Sequence, residues 1–158
     1  MGTTMDPQRA LLVRVAFDHG AMSRAAVAEW VTARVLEAET VEGPLLDLSS
    51  LAGLSNEDVS ALLRALSPGA SVVEEARMTA AVLGRLVERG RLDIDDAIHS
   101  LASWCRGVEG LDERLQEIDW IEEGLYLARE QIFGTREEVE QAFRDLAASY
   151  RHLVSTLG

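Results

Sequence analysis

Apolar residues recur along most of the chain at intervals of three and four, and a cap or a glycine closes each run. Asp6-Pro7 reads as an N-cap followed by proline at the first helical position. Leu11, Leu12, Val15 and Ala16 form a stripe after it, and Gly20 is the stop. Ser23 opens a second helix to about Glu39, with Val27, Trp30, Val31, Val35 and Leu36 as its apolar side. Gly43-Pro44-Leu45-Leu46-Asp47-Leu48 suits a buried turn or a short helical piece. Ser55 with Asp58 resembles a capping box, and Ser67-Pro68-Gly69 ends the helix it starts. Ser71 with Glu74 caps a helix running to Gly90, and Asp93 caps one ending near Gly107. A long segment from about Asp112 to Phe133 carries Leu115, Ile118, Trp120, Ile121, Leu125 and Leu127, with Gly134 as its stop. Thr135 with Glu138 caps the last helix, whose apolar side is Val139, Phe143, Leu146, Tyr150, Leu153 and Leu157.

No alternating run bounded by a hairpin turn occurs, and aromatic content is only 5%. The pattern therefore predicts an all-α fold, a single compact bundle of about seven helices over residues 1–158. Phe17-Asp18-His19-Gly20-Ala21-Met22-Ser23 echoes Val87-Glu88-Arg89-Gly90-Arg91-Leu92-Asp93. Each reads as helix, glycine stop, variable residue, large apolar residue, N-cap. The echo suggests an alternative division into two related helical hairpin halves, 1–68 and 69–158, too few for a solenoid.

Composition narrows the function classes. A 47% hydrophobic share excludes disorder. Acidic residues outnumber basic ones 27 to 15, giving a net charge of -12. Such a surface repels phosphate and anionic lipid, so nucleic acid and membrane are not expected partners. It attracts a cationic protein, although solubility alone is the commoner reason for an acidic surface. All 15 basic residues are arginine, which fits a GC-rich bacterial genome and removes any lysine-dependent chemistry. Cys105 is the lone cysteine, and Met1 to Gln8 shows no basic-then-apolar leader pattern, so a cytoplasmic protein is expected.

Candidate chemistry is sparse. Asp96-Ala97-Ile98-His99 places a carboxylate and an imidazole at i,i+3, half of a carboxylate-bridged di-metal element, but no second copy exists. His99 and Cys105 stand six residues apart, on different helix faces, which suits a buried thiol better than a nucleophilic pair. His19 closes a helix, where its charged form would favour the dipole, and His152 reads as a surface residue. Asp119-x-x-Glu122 and Glu137-x-x-Glu140 superficially fit an all-α, magnesium-dependent nucleotide hydrolase. Gly20 to Val27 resembles a helix-turn-helix corner, but its first turn offers one arginine and then alanines. No catalytic, cofactor or metal residue is therefore assigned.

The densest uncompensated charge lies at Glu109, Asp112, Glu113, Glu117, Asp119, Glu122 and Glu123, against Arg114 alone. If a partner surface exists it centres here, with Trp120 as its aromatic anchor. The plainer expectation for Trp120 is packing in the core while the acids face water. The order Trp30, then Pro44-Leu45-Leu46-Asp47-Leu48, a glycine-turn helix pair, Asp119-Trp120-Ile121 and Phe133-Gly134-Thr135 resembles small helical immunity proteins of bacterial polymorphic toxin systems. That resemblance implies a protein that binds and blocks a toxin by acidic complementarity to a basic active site, with no catalytic residues. The expected function is thus a non-catalytic acidic protein-binding module, an immunity-type inhibitor of a cationic partner. The alternatives are the nucleotide hydrolase and a helical adaptor or regulator that forms a homodimer.

Overall fold

A computed structural model describes residues 6–41 and 43–157, and every regular element among them is helical. Met1–Met5, on which part of the leader reading rests, lie outside the described residues. The helices are α1 (Pro7–Asp18), α2 (Arg24–Glu37), α3 (Gly43–Leu48), α4 (Asn56–Ala65), α5 (Val72–Glu88), α6 (Ile94–Cys105), α7 (Glu113–Arg129) and α8 (Arg136–Ala148). Short 3-10 turns cover Leu51–Gly53 and Arg151–Val154. The all-α expectation is met. The chain divides into two compact units between Ala70 and Ser71.

In the first unit, the Asp6 carboxylate accepts from the Gln8 N–H at 3.0 Å, satisfying one of the donors left over where α1 begins. Ala10 and Val13 of α1 join Val27 and Val31 of α2, Leu45 and Leu48 of α3, and Val59 and Leu63 of α4 in one apolar core. The stripe expected on α1 was one-sided. Instead the whole run Ala10–Ala16 is buried, so over two turns this helix has no solvent face. Trp30 packs half-buried against the core, whereas Leu36 is 81% exposed. Leu36 is five residues past Val31, about 140° around the helix, which removes it from the buried stripe. Arg24 links α2 to the segment before α4, donating to the Leu51 and Leu54 carbonyls at 2.7 and 2.6 Å and to Asn56 Oδ1 at 2.7 Å. The arginine that a DNA-reading helix would present is thus occupied within the unit.

In the second unit, α5 is buried along most of its length and packs against α6, α8 and the turn at Arg151–Val154. α7 packs against both α6 and α8. Its buried stripe is Leu115, Ile118, Ile121 and Leu125, meeting a core that includes Ile98, Leu101, Phe143 and Leu146. α5 and α8 cross closely at Gly84, where a Cβ would lie 2.4 Å from the Ala147 Cβ. The last helix stops at Ala148, short of the expected run, and Tyr150 is buried in the turn that follows.

The sequence echo has a structural counterpart. Gly20 and Gly90 both take positive φ, 77° and 67°. In each case the next N–H returns to a carbonyl five residues back, Ala21 to Ala16 at 2.7 Å and Arg91 to Leu86 at 2.9 Å. Ser23 and Asp93 then cap α2 and α6. The two units therefore contain the same helix–corner–helix device.

Candidate protein-binding face

Asp112 is the N-cap residue of α7, and the helix carries most of the acidic residues singled out above. At 3.6 residues per turn, its stripe of Leu115, Ile118, Ile121 and Leu125 fixes the opposite side as Glu113, Gln116, Trp120, Glu123 and Leu127. Trp120 is 76% exposed, which corrects the expectation that it packs in the core. Its position supplies the reason. It stands two residues past Ile118 and one before Ile121, pointing away from both.

The eight residues expected at a partner surface separate into two groups. Asp112 is part-buried and used internally, accepting from Arg77 Nε at 3.1 and 3.2 Å and from the Tyr150 hydroxyl at 2.6 Å. Glu122 is likewise engaged, 3.0 Å from His99 Nδ1 and 3.0 Å from Arg106 Nη2 on the α6 side. Glu117 is exposed but pairs with Arg114 at 3.2 Å along the helix. Glu109, Glu113, Asp119, Trp120 and Glu123 remain exposed. Among the described residues, the carboxylates of Glu113, Asp119 and Glu123 meet no ion-pair partner, and neither does Glu130 just past the helix. Arg114 is turned to Glu117 and to Ser149 Oγ, and Arg129 falls half a turn from Trp120. The exposed arc therefore holds aromatic surface and unpaired negative charge, with no cation of its own.

The face extends beyond the expected residues. Tyr126 is 59% exposed, and the turn after α7 presents Ile132 and Phe133 at 64% and 77%. α7 was expected to continue to Phe133, but it ends at Arg129 because Gln131 takes φ 57° and reverses the chain. The available sequence signal was the wrong azimuth of Trp120. The exposure of Ile132 and Phe133 had none, since no glycine marks the turn at Gln131.

Other candidate chemistry is not assembled. His99 faces Glu122 instead of forming a site with Asp96, and no group of three or more His, Cys, Asp or Glu among the described residues could hold a metal ion. Burial, and then the nearby Asp119 and Asp112 charges, push the Cys105 thiol up to about 11, the wrong direction for a nucleophile. Burial also lowers His19, outweighing the Asp18 charge, so its neutral form is favoured in place of the cation expected at a helix end. Glu140 pairs with Arg136 at 2.9 Å and with Arg144 at 3.7 Å, so one member of the Glu137-x-x-Glu140 element is held in surface ion pairs. His152 is exposed, as expected. A cleft of about 600 Å³ in the first unit is lined by Leu46, Leu54 and Leu62 with Asp47 and Asp58, but Asp58 is committed to capping α4. No protein-family model, curated protein or solved structure matches the chain.

Proposed function

We propose that this chain is a non-catalytic, acidic protein-binding module that captures a cationic partner through the exposed arc of α7. The observation that carries the reading is Trp120, 76% exposed on α7 beside carboxylates that have no internal cation. Aromatic anchors dominate the energetics of protein interfaces, and tryptophan is among the residue types such anchors take. Unpaired carboxylates around it would steer a basic surface toward the anchor. The net charge of -12 and the likeness of the sequence order to immunity proteins favour an inhibitor of a basic protein as the form this binding takes. The test is association with an arginine-rich protein probe, compared with an acidic probe of similar size, at low and high salt. Changing Glu113, Asp119, Glu123 and Glu130 together to Gln or Asn should slow association with the basic probe about tenfold or more at low salt and flatten its salt dependence. An unchanged rate would place any binding surface elsewhere.

A further inference from the structure

The apolar part of this face has a shape that charge alone does not require. Trp120 and Leu127 lie on one side of α7, two turns and about 10.5 Å apart along the axis. The Ile132 and Phe133 N–H groups both donate to the Leu127 carbonyl, at 2.9 and 3.4 Å, so the turn is tied to the C-terminal end of α7. Gln131 is the one non-glycine residue with positive φ among those described, and this conformation presents Ile132 and Phe133 outward from a hydrogen-bonded turn. Exposed Trp120 and half-buried Leu127 on one side of α7, with exposed Ile132 and Phe133 in the turn that follows, thus make the apolar ridge of this face, and Asp119, Glu123 and Glu130 run beside α7 without cationic partners.

We infer that the partner's docking element is a cationic amphipathic helix lying along α7, its apolar stripe on this ridge and its arginines or lysines over Asp119, Glu123 and Glu130. The inference rests on the reading of α7 as the binding arc and adds the form of the occupant. Anchors two helical turns apart match the i, i+7 spacing of an apolar helix stripe. Charge complementarity selects the occupant's sign. A second copy would bring this acidic arc against itself in a two-fold dimer, and nucleic acid or anionic lipid would meet the same repulsion.

Two synthetic probes separate the ideas. One is a Leu/Arg peptide with apolar positions at helical spacing, and the other has the same composition shuffled to erase the stripe. Each is titrated into the full chain at low salt by calorimetry and by tryptophan emission, with Trp120→Phe to assign the signal. The amphipathic peptide should bind about tenfold tighter than the shuffled one. The double substitution Ile132→Ser, Phe133→Ser should erase that ratio while leaving the thermal midpoint unchanged, because both side chains are exposed. Equal binding of the two peptides would overturn the amphipathic occupant and leave the acidic-arc reading standing. Failure of both to bind would overturn the two together. Concentration-dependent dimerisation of the chain alone, abolished by Phe133→Ser, would make a second copy the occupant and overturn the inference.

Discussion

Asp112 shows how one side chain can hold several elements in place. Its carboxylate stands at the start of α7 and accepts from Arg77 of α5 and from Tyr150 beyond α8. Partial burial works to raise its pKa, but hydrogen bonds from Tyr150, from its own backbone N–H and from Arg77, with the Arg77 charge, outweigh that and hold it below the usual carboxylate range. Burial and then the Asp112 bond push the Tyr150 phenol above its ordinary value. Replacing Asp112 with Asn should destabilise the chain by about 1–3 kcal/mol, and Tyr150→Phe by about 1 kcal/mol, in urea denaturation. The pH dependence follows from the two directions. A lowered carboxyl adds stability that is present above the unfolded value near 3.9 and is lost as pH falls through the folded one. A raised phenol adds stability that is present below about 10 and is lost as pH rises past it. Asp112→Asn should therefore flatten the acid limb of the stability profile, and Tyr150→Phe the alkaline limb. A steep acid limb surviving in the Asn variant would assign that limb to other carboxylates.

Among the elements, the corners explain what the sequence could and could not disclose. Gly20 and Gly90 announce their turns because glycine takes positive φ without the clash a Cβ meets, and both helix ends were legible from them. Gln131 makes the same reversal without announcing it, so the apolar pattern runs four residues past the end of α7, to Phe133. Replacing Gln131 with Gly should relieve the left-handed strain and stabilise the chain by about 0.5–1 kcal/mol, read as a raised denaturation midpoint with unchanged slope. A loss of stability would mean that the Gln side chain contributes packing that outweighs its backbone cost. Trp120 is a different kind of error. Its azimuth was available from the spacing of Leu115, Ile118, Ile121 and Leu125, but its apolar character suggested core. The internal commitments of Asp112 and Glu122 were illegible for a third reason, since Arg77, Tyr150, His99 and Arg106 are distant in sequence and only the packing of α5, α6 and α8 brings them near.

For the molecule as a whole, a net charge of -12 sets binding against folding. Self-repulsion lowers the stability of a highly charged folded chain, and added salt screens it. The α7 arc adds to that repulsion locally, because Asp119 and Glu123 are like charges at i,i+4, as are Glu113 and Glu117. Neutralising Glu113, Asp119, Glu123 and Glu130 takes the formal charge from -12 to -8. If these carboxylates are kept for a partner, their removal should cost the isolated chain nothing. The variant should be equal to the parent in stability, or more stable by about 0.5 kcal/mol at low salt, with the difference closing as salt is raised. Thermal and urea melts across a salt series read this directly, without a partner in hand. A loss of about 1 kcal/mol or more would show the four carboxylates to be structural, and the unpaired charge on α7 would then belong to the fold's own stability. Equal or greater stability together with slower capture of a basic probe is the combination that separates a docking face from a merely solvated one.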